Sequence, residues 1–184
     1  MTHIKRREFV ETLGKTAVGV GAATGLLSNV ATSAETARPI KVGQIGTAHA
    51  HASGKMATLR KLSRDFEVVG VVEPDPQLRR ECQDASAYRG LKWISEDELL
   101  STRGLQAVAV ETAVSDLVPT AARCIDAGMH IHLDKPAGES LSAFKRIMDE
   151  AARRRLTVQM GYMFRNNRAF EFAFRAVREG WLGQ

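Results

Sequence analysis

The sequence predicts a doubly wound α/β domain, a parallel sheet with helices on both faces. Three observations carry that prediction. Short runs rich in Val and Ile alternate with longer stretches of helical period, the pattern of strands buried on both sides. The first run, Ile40 to Ile45, leads through a turn at Gly46 into a helical stretch that has begun by Lys55. A later run, Met129 to Leu133, closes on Asp134-Lys135-Pro136. Charged residues at a strand's carboxyl end face the crevice where open α/β sheets bind ligands.

Six strands are expected, at Ile40 to Ile45, Val68 to Val72, Lys92 to Ile94, Ala107 to Val110, Met129 to Leu133 and Thr157 to Met160. Helical crossovers between them give the order 3-2-1-4-5-6 of dinucleotide-binding sheets. A helix near Ser115 to Ala127 puts Val118, Ala121, Ala122 and Ile125 on one stripe, with Ser115 as its N-cap and Pro119 in the first turn. The helix near Ser140 to Arg154 does the same with Leu141, Phe144, Met148 and Ala151. A last helix near Ala169 to Arg178 aligns Phe170, Phe174 and Val177 before Gly180 ends it, and all these stripes read as core.

Ahead of the fold, Arg6 and Arg7 precede an apolar, Gly- and Ala-rich run from Thr16 to Val30. Residues 1–34 therefore read as an export signal of the twin-arginine type, and a periplasmic or extracytoplasmic location is expected. The run is too short and too mildly hydrophobic for a stable membrane span. The chain has 26 Lys and Arg against 21 Asp and Glu, and the leader contributes Lys5, Arg6, Arg7 and Lys15 against Glu8 and Glu11. The remainder is only mildly basic, and its cations are scattered apart from Arg153-Arg154-Arg155, which gives a nucleic-acid partner no support. Cys82 and Cys124 lie in separate helical stretches without metal-ligand spacing; free thiols are expected, a disulfide being open to them in an oxidising compartment.

The turn after the first strand, Gly46-Thr47-Ala48-His49-Ala50-His51, meets the G-x-G-x-x-G fingerprint only at Gly46. Ala48 stands where the second glycine lets a pyrophosphate approach, and His51 where the third lets helix and strand pack. Glu73 follows the second strand where the fingerprint places an acid for the adenosine ribose. A carboxylate there accepts from the diol and repels a 2′-phosphate, which favours NAD over NADP. In Glu73-Pro74-Asp75-Pro76 it is equally a polar turn before a helix. His49, His51, His130 and His132 invite a metal, but no Cys or carboxylate cluster has matching spacing, so no metal site is expected. His49 and His51 are expected to line the cofactor turn. Lys135 taken alone reads as an exposed loop lysine, and the rest of the chain is what makes it a functional candidate.

The order of these features resembles the Gfo/Idh/MocA oxidoreductases over residues 39–184. The motifs that carry the resemblance are Ile45-Gly46-Thr47 with its histidines, Val71-Val72-Glu73-Pro74-Asp75, Ala127-Gly128 through Lys135-Pro136, and Gly161-Tyr162-Met163-Phe164-Arg165. The resemblance implies a Rossmann-type NAD(P)-binding domain and hydride transfer between a nicotinamide and a sugar or polyol-like hydroxyl. The catalytic lysine of that family's Glu-Lys-Pro motif would be Lys135, with Asp134 replacing the glutamate. Pro136 would set the loop through a cis bond. Thr112 matches the family's threonine after the fourth strand, whereas Ala113 and Val114 stand where the family has Pro-Asn. Tyr162 and Arg165 would lie near the cofactor or substrate.

The expected organisation is an export signal at 1–34, a dinucleotide-binding domain at 35–165 and, at 166–184, the start of a truncated C-terminal domain. Family members continue into a second α/β domain that supplies most of the substrate pocket, so the chain reads as one half of a longer enzyme, itself expected to be a homo-oligomer. A nucleotide-binding module without redox turnover is the alternative. Another Rossmann enzyme, such as a methyltransferase, would have no need for Lys135-Pro136.

Overall fold

The structure is a computed structural model that describes residues 38–183. The expected export signal lies outside the described residues. Five parallel strands form one sheet: β1 (Ile40–Ile45), β2 (Phe66–Val72), β3 (Ala107–Val110), β4 (His130–Leu133) and β5 (Val158–Met160), in the order β2-β1-β3-β4-β5. The sixth expected strand, Lys92 to Ile94, survives as a single parallel bridge between Trp93 and Val71. Its backbone bonds are the Val71 amide to the Lys92 carbonyl at 2.8 Å and the Ile94 amide to the Val71 carbonyl at 3.0 Å. That bridge lies on the outer side of β2, so the expected order holds with its first strand shortened to one rung.

Helices connect the strands: α1 (Ala52–Lys61), α2 (Pro76–Cys82), α3 (Glu96–Leu100), α4 (Val114–Asp126), α5 (Leu141–Arg153) and α6 (Arg168–Arg178). Their starts follow local chemistry. Ser95 and Glu98 form a reciprocal capping box on α3, Asp75 caps α2, Ser140 caps α5, and the Asn167 side chain accepts from the Ala169 and Phe170 amides at the start of α6. Among the described residues no helix is long and apolar enough to cross a membrane.

The main core lies between the sheet and α4, where Ile45, Val108, Val110, Leu133 and Ile131 meet Leu117, Ala121, Cys124 and Ile125. Three expectations need correction. Helix α4 begins at Val114 with Ala113 as its N-cap, two residues before the expected cap, so Ser115 lies inside it and Pro119 stands in its second turn. On α5 the buried residues are Ile147 and Ala151, whereas Leu141 is 83% exposed and Met148 faces solvent. On α6 only Ala176 is buried, and Phe170, Phe174 and Val177 are exposed. Helical period identifies an apolar face but carries no information about what covers it.

Candidate functional site

Strand order reverses between β1 and β3, and the loops leaving β1, β2, β3 and β4 gather at that switch point. Gly46 follows β1 with φ +87, and a β-carbon there would stand 2.6 Å from the Thr112 backbone nitrogen. Only glycine combines that left-handed conformation with that approach. The turn then places the Thr47 amide and hydroxyl each 2.7 Å from Glu73 Oε2, while Glu73 Oε1 accepts from the Asp75 amide at 3.0 Å. Gly46, Ala48, Glu73, Leu78, Thr112 and Ala113 line a cleft of about 350 Å³. Four of the expected cofactor residues therefore share one cleft. Behind it, buried Gln44 donates to the Gly46 carbonyl and the Tyr88 hydroxyl, both at 2.9 Å. Burial pushes the Tyr88 phenol up to about 12.

His49 and His51 turn away from that cleft. The backbone of His51 forms the N-cap of α1, and its ring Nδ1 lies 3.0 and 3.2 Å from the two Asp134 oxygens. His49 Nδ1 lies 3.3 Å from Asp134 Oδ2 and 3.8 Å from Glu111 Oε2, and its Nε2 is 3.0 Å from the Lys135 carbonyl. Neither ring lines the Gly46–Glu73 cleft. Asp134 is fully buried and accepts from the Lys135 amide at 2.7 Å. Gly161 makes room for it, since a β-carbon there would stand 2.5 Å from Asp134 Oδ1. Burial acts to raise the Asp134 carboxyl, but the Lys135 amide, the adjacent Glu111 carboxyl and the Lys55 and His49 charges outweigh it and hold the group below its usual range.

Lys135 follows β4, precedes a cis bond to Pro136, and is exposed. Together with His51, Gly161, Tyr162, Arg165 and Phe170 it lines a second cleft of about 620 Å³. The Arg165 guanidinium lies over the Tyr162 ring, 5.7 Å from its centroid. Lys135, Tyr162 and Arg165 thus share one cleft, and His51 joins them.

Sequence reasoning missed Glu111. It follows β3, is fully buried, and neither carboxylate oxygen has a hydrogen-bond partner. Burial first, then the Asp134 charge, pushes its carboxyl up to about 8. An acid closing the apolar run Ala107–Val110 carries the same signal that singled out Asp134 after Leu133. Lys55 was also missed; it donates to His132 Nε2 at 2.6 Å, and burial, then the Lys55 charge, lowers His132 to about 4.

The family model described as an oxidoreductase family with an NAD-binding Rossmann fold, Gfo/Idh/MocA, matches residues 40–162, two thirds of the chain. No curated protein gives a significant sequence match. Among solved structures, similarity extends to scyllo-inositol dehydrogenase from Lactobacillus casei with bound NAD(H) and scyllo-inositol, at 17% identity and TM-score 0.65, over 79% of this chain and 43% of that one. The WlbA dehydrogenase from Bordetella pertussis, in complex with NADH and UDP-GlcNAcA, matches at 17% identity and TM-score 0.66, over 78% and 43%. A mutant of KijD10, a 3-ketoreductase from Actinomadura kijaniata in complex with TDP-benzene and NADP, matches at 20% identity and TM-score 0.68, over 79% and 46%. At these identities the likeness establishes the fold, and the chain spans less than half the length of each of these proteins.

Proposed function

Because the chain belongs to the Gfo/Idh/MocA oxidoreductase family and matches its NAD-binding Rossmann domain, we propose that it binds a nicotinamide dinucleotide for hydride transfer to or from a sugar or polyol-like substrate. The observation that carries this reading is the pairing of two strand-end groups at the switch point: Glu73 beside the Gly46 turn, and Lys135 after β4. The relatives solved with NAD(H) or NADP act on inositol or are bound to nucleotide-linked groups, which supports the substrate class.

In this reading the cofactor, when bound, would give or take the hydride, and the chain's residues would orient it. The Gly46-Thr47-Ala48 turn and Thr112 receive the pyrophosphate. Glu73 takes the adenosine ribose. A carboxylate offers about four acceptor sites, and Thr47 and Asp75 already occupy three of those on Glu73. One acceptor site on Glu73 would be open to a ribose hydroxyl, and a second would open if the Thr47 hydroxyl rotated away. NAD is preferred over NADP, since a 2′-phosphate would meet the same negative oxygens. Lys135 holds the reacting substrate oxygen and stabilises negative charge on it, its ammonium donating up to three hydrogen bonds. Tyr162 and Arg165 contact the substrate. Export of the folded, cofactor-loaded protein by the twin-arginine route, read from Arg6-Arg7 and the run to Val30, belongs to the same proposal.

Titration of the purified chain with NADH and NADPH, read by energy transfer from Trp93 and Trp181, tests the reading. Saturable binding of NADH, tighter than NADPH, is expected. A folded protein that binds neither would overturn it.

A further inference from the structure

The cluster around Asp134 brings two imidazoles and two carboxyl groups within reach of one another. His49 Nε2 lies 3.0 Å from the Lys135 carbonyl, which can only accept, so that nitrogen carries the hydrogen. In the neutral ring Nδ1 then keeps its lone pair, and this lone pair faces Asp134 Oδ2 at 3.3 Å and Glu111 Oε2 at 3.8 Å. The His51 amide gives this lone pair a long hydrogen bond of 3.3 Å, and the neighbouring Glu111 oxygens have no hydrogen-bond partner. Lys55, whose charge acts on both carboxylates, hydrogen-bonds to His132 instead.

We infer that His49 Nδ1, His51 Nδ1 and Asp134 form a binding site for one divalent transition-metal cation, with the Glu111 carboxyl beside it. The three ligand atoms all lie within 4.8 Å of one another. The 3.0 and 3.3 Å separations between the imidazole nitrogens and Asp134 Oδ2 match the edges of a tetrahedral site, roughly 3.3 Å for bonds of about 2.0–2.1 Å. A ligating imidazole usually donates its other N–H to a backbone carbonyl or carboxylate, which is the arrangement His49 makes with Lys135. The second, independent observation is Glu111. It is 0% exposed, it has no hydrogen-bond partner on either oxygen, and one of those oxygens is aimed at His49. A buried carboxyl without a partner either keeps its proton or takes a compensating cation. Spacing along the chain hides this site, because Asp134 lies 83 residues from His51 and the fold alone brings them together.

Two imidazoles and a carboxylate suit zinc and its first-row neighbours better than magnesium or calcium, which prefer all-oxygen shells. A bound cation would fix the His49 ring and through it the Lys135 carbonyl. The site does not depend on the nucleotide reading and is tested without nucleotide.

The test takes the full chain, stripped with a chelator, and titrates it with Zn²⁺ alone and with Co²⁺ alone. We expect one equivalent of bound zinc by elemental analysis, visible absorption bands from bound cobalt, and a higher melting temperature with either ion. His51→Ala, at a partly exposed ring, lowers the affinity at least tenfold, whereas His130→Ala, outside the cluster, leaves it unchanged. Should Asp134→Asn fail to fold, His51→Ala decides the matter. Binding far below one equivalent with no cobalt bands in folded wild-type protein overturns the inference and leaves protons to neutralise the cluster. Wild-type affinity in His51→Ala overturns it equally, by placing the metal elsewhere.

Discussion

Gly46 and Thr112 touch backbone to backbone: a β-carbon on Gly46 would stand 2.6 Å from the Thr112 nitrogen and 2.7 Å from its α-carbon. This contact joins the turn after β1 to the loop after β3 across the point where the strand order reverses. Gly46→Ala must adopt φ near +87 and also push the Thr112 backbone aside. A left-handed conformation alone costs about 1–3 kcal/mol in a non-glycine residue. We expect at least that loss of unfolding free energy in a urea titration, with weakened nucleotide binding. An unchanged denaturation midpoint would mean that the turn is looser than described.

Leu117 is fully buried on the inner face of α4, in the core shared with β3 and β4. Leu117→Ala removes its packing and leaves a cavity, at a cost of about 2–5 kcal/mol. Leu141→Ala on α5 is the matched control, since that leucine is 83% exposed. Its effect should lie within about 0.5 kcal/mol, as for ordinary surface positions. Similar losses from the two substitutions would show that the covered face of α5 is misassigned.

Both cysteines are free; Cys124 is buried, and burial pushes its thiol up to about 12 from an ordinary 9.0. Raised pKa means that the unfolded chain gives up this proton first. The stabilisation is fully present below pH 9, and it falls away as pH rises toward 12. The urea midpoint should therefore drop between pH 8 and pH 10.5, and drop less in Cys124→Ala after allowance for its cavity. Alkylation of the native protein at pH 8.5 should modify Cys82 alone, and mass spectrometry of the labelled peptides reads the outcome.

Much of the fold was legible because buried parallel strands are written as unbroken Val and Ile runs, and β1, β3 and β4 stand within a residue of where those runs place them. The Lys92–Ile94 strand shrank to one rung because only Trp93 pairs with β2. Cap residues with a side-chain acceptor followed by a helical run, such as Ser140, were readable. The start of α4 was not, because Ala113 caps it without a side-chain hydrogen bond and Ser115 mimicked the usual signal. The outward face of α6 illustrates a different limit, since Phe170 and Phe174 announce an apolar surface in sequence and yet remain exposed.

The candidate site divides in the same way. Gly46, Glu73 and Lys135 each follow a strand and were visible from that position alone. Glu111 has the same position after β3 and went unnoticed beside Thr112, although burial marks it most strongly. The meeting of His49 and His51 with Asp134 has no signature in spacing, because the topology of the sheet rather than the distance along the chain creates it.

The account rests on Glu73 as the group that reads the ribose, held in place by two bonds from Thr47. The most direct test is calorimetric titration of NAD and NADP into the wild-type chain and into Glu73→Ala. A hydrogen bond to a charged group contributes about 1.5–3 kcal/mol, so NAD binding should weaken roughly tenfold to a hundredfold in the variant, and the preference over NADP should shrink or vanish. Unchanged NAD affinity in a folded Glu73→Ala protein would contradict the placement of the cofactor in the Gly46–Glu73 cleft.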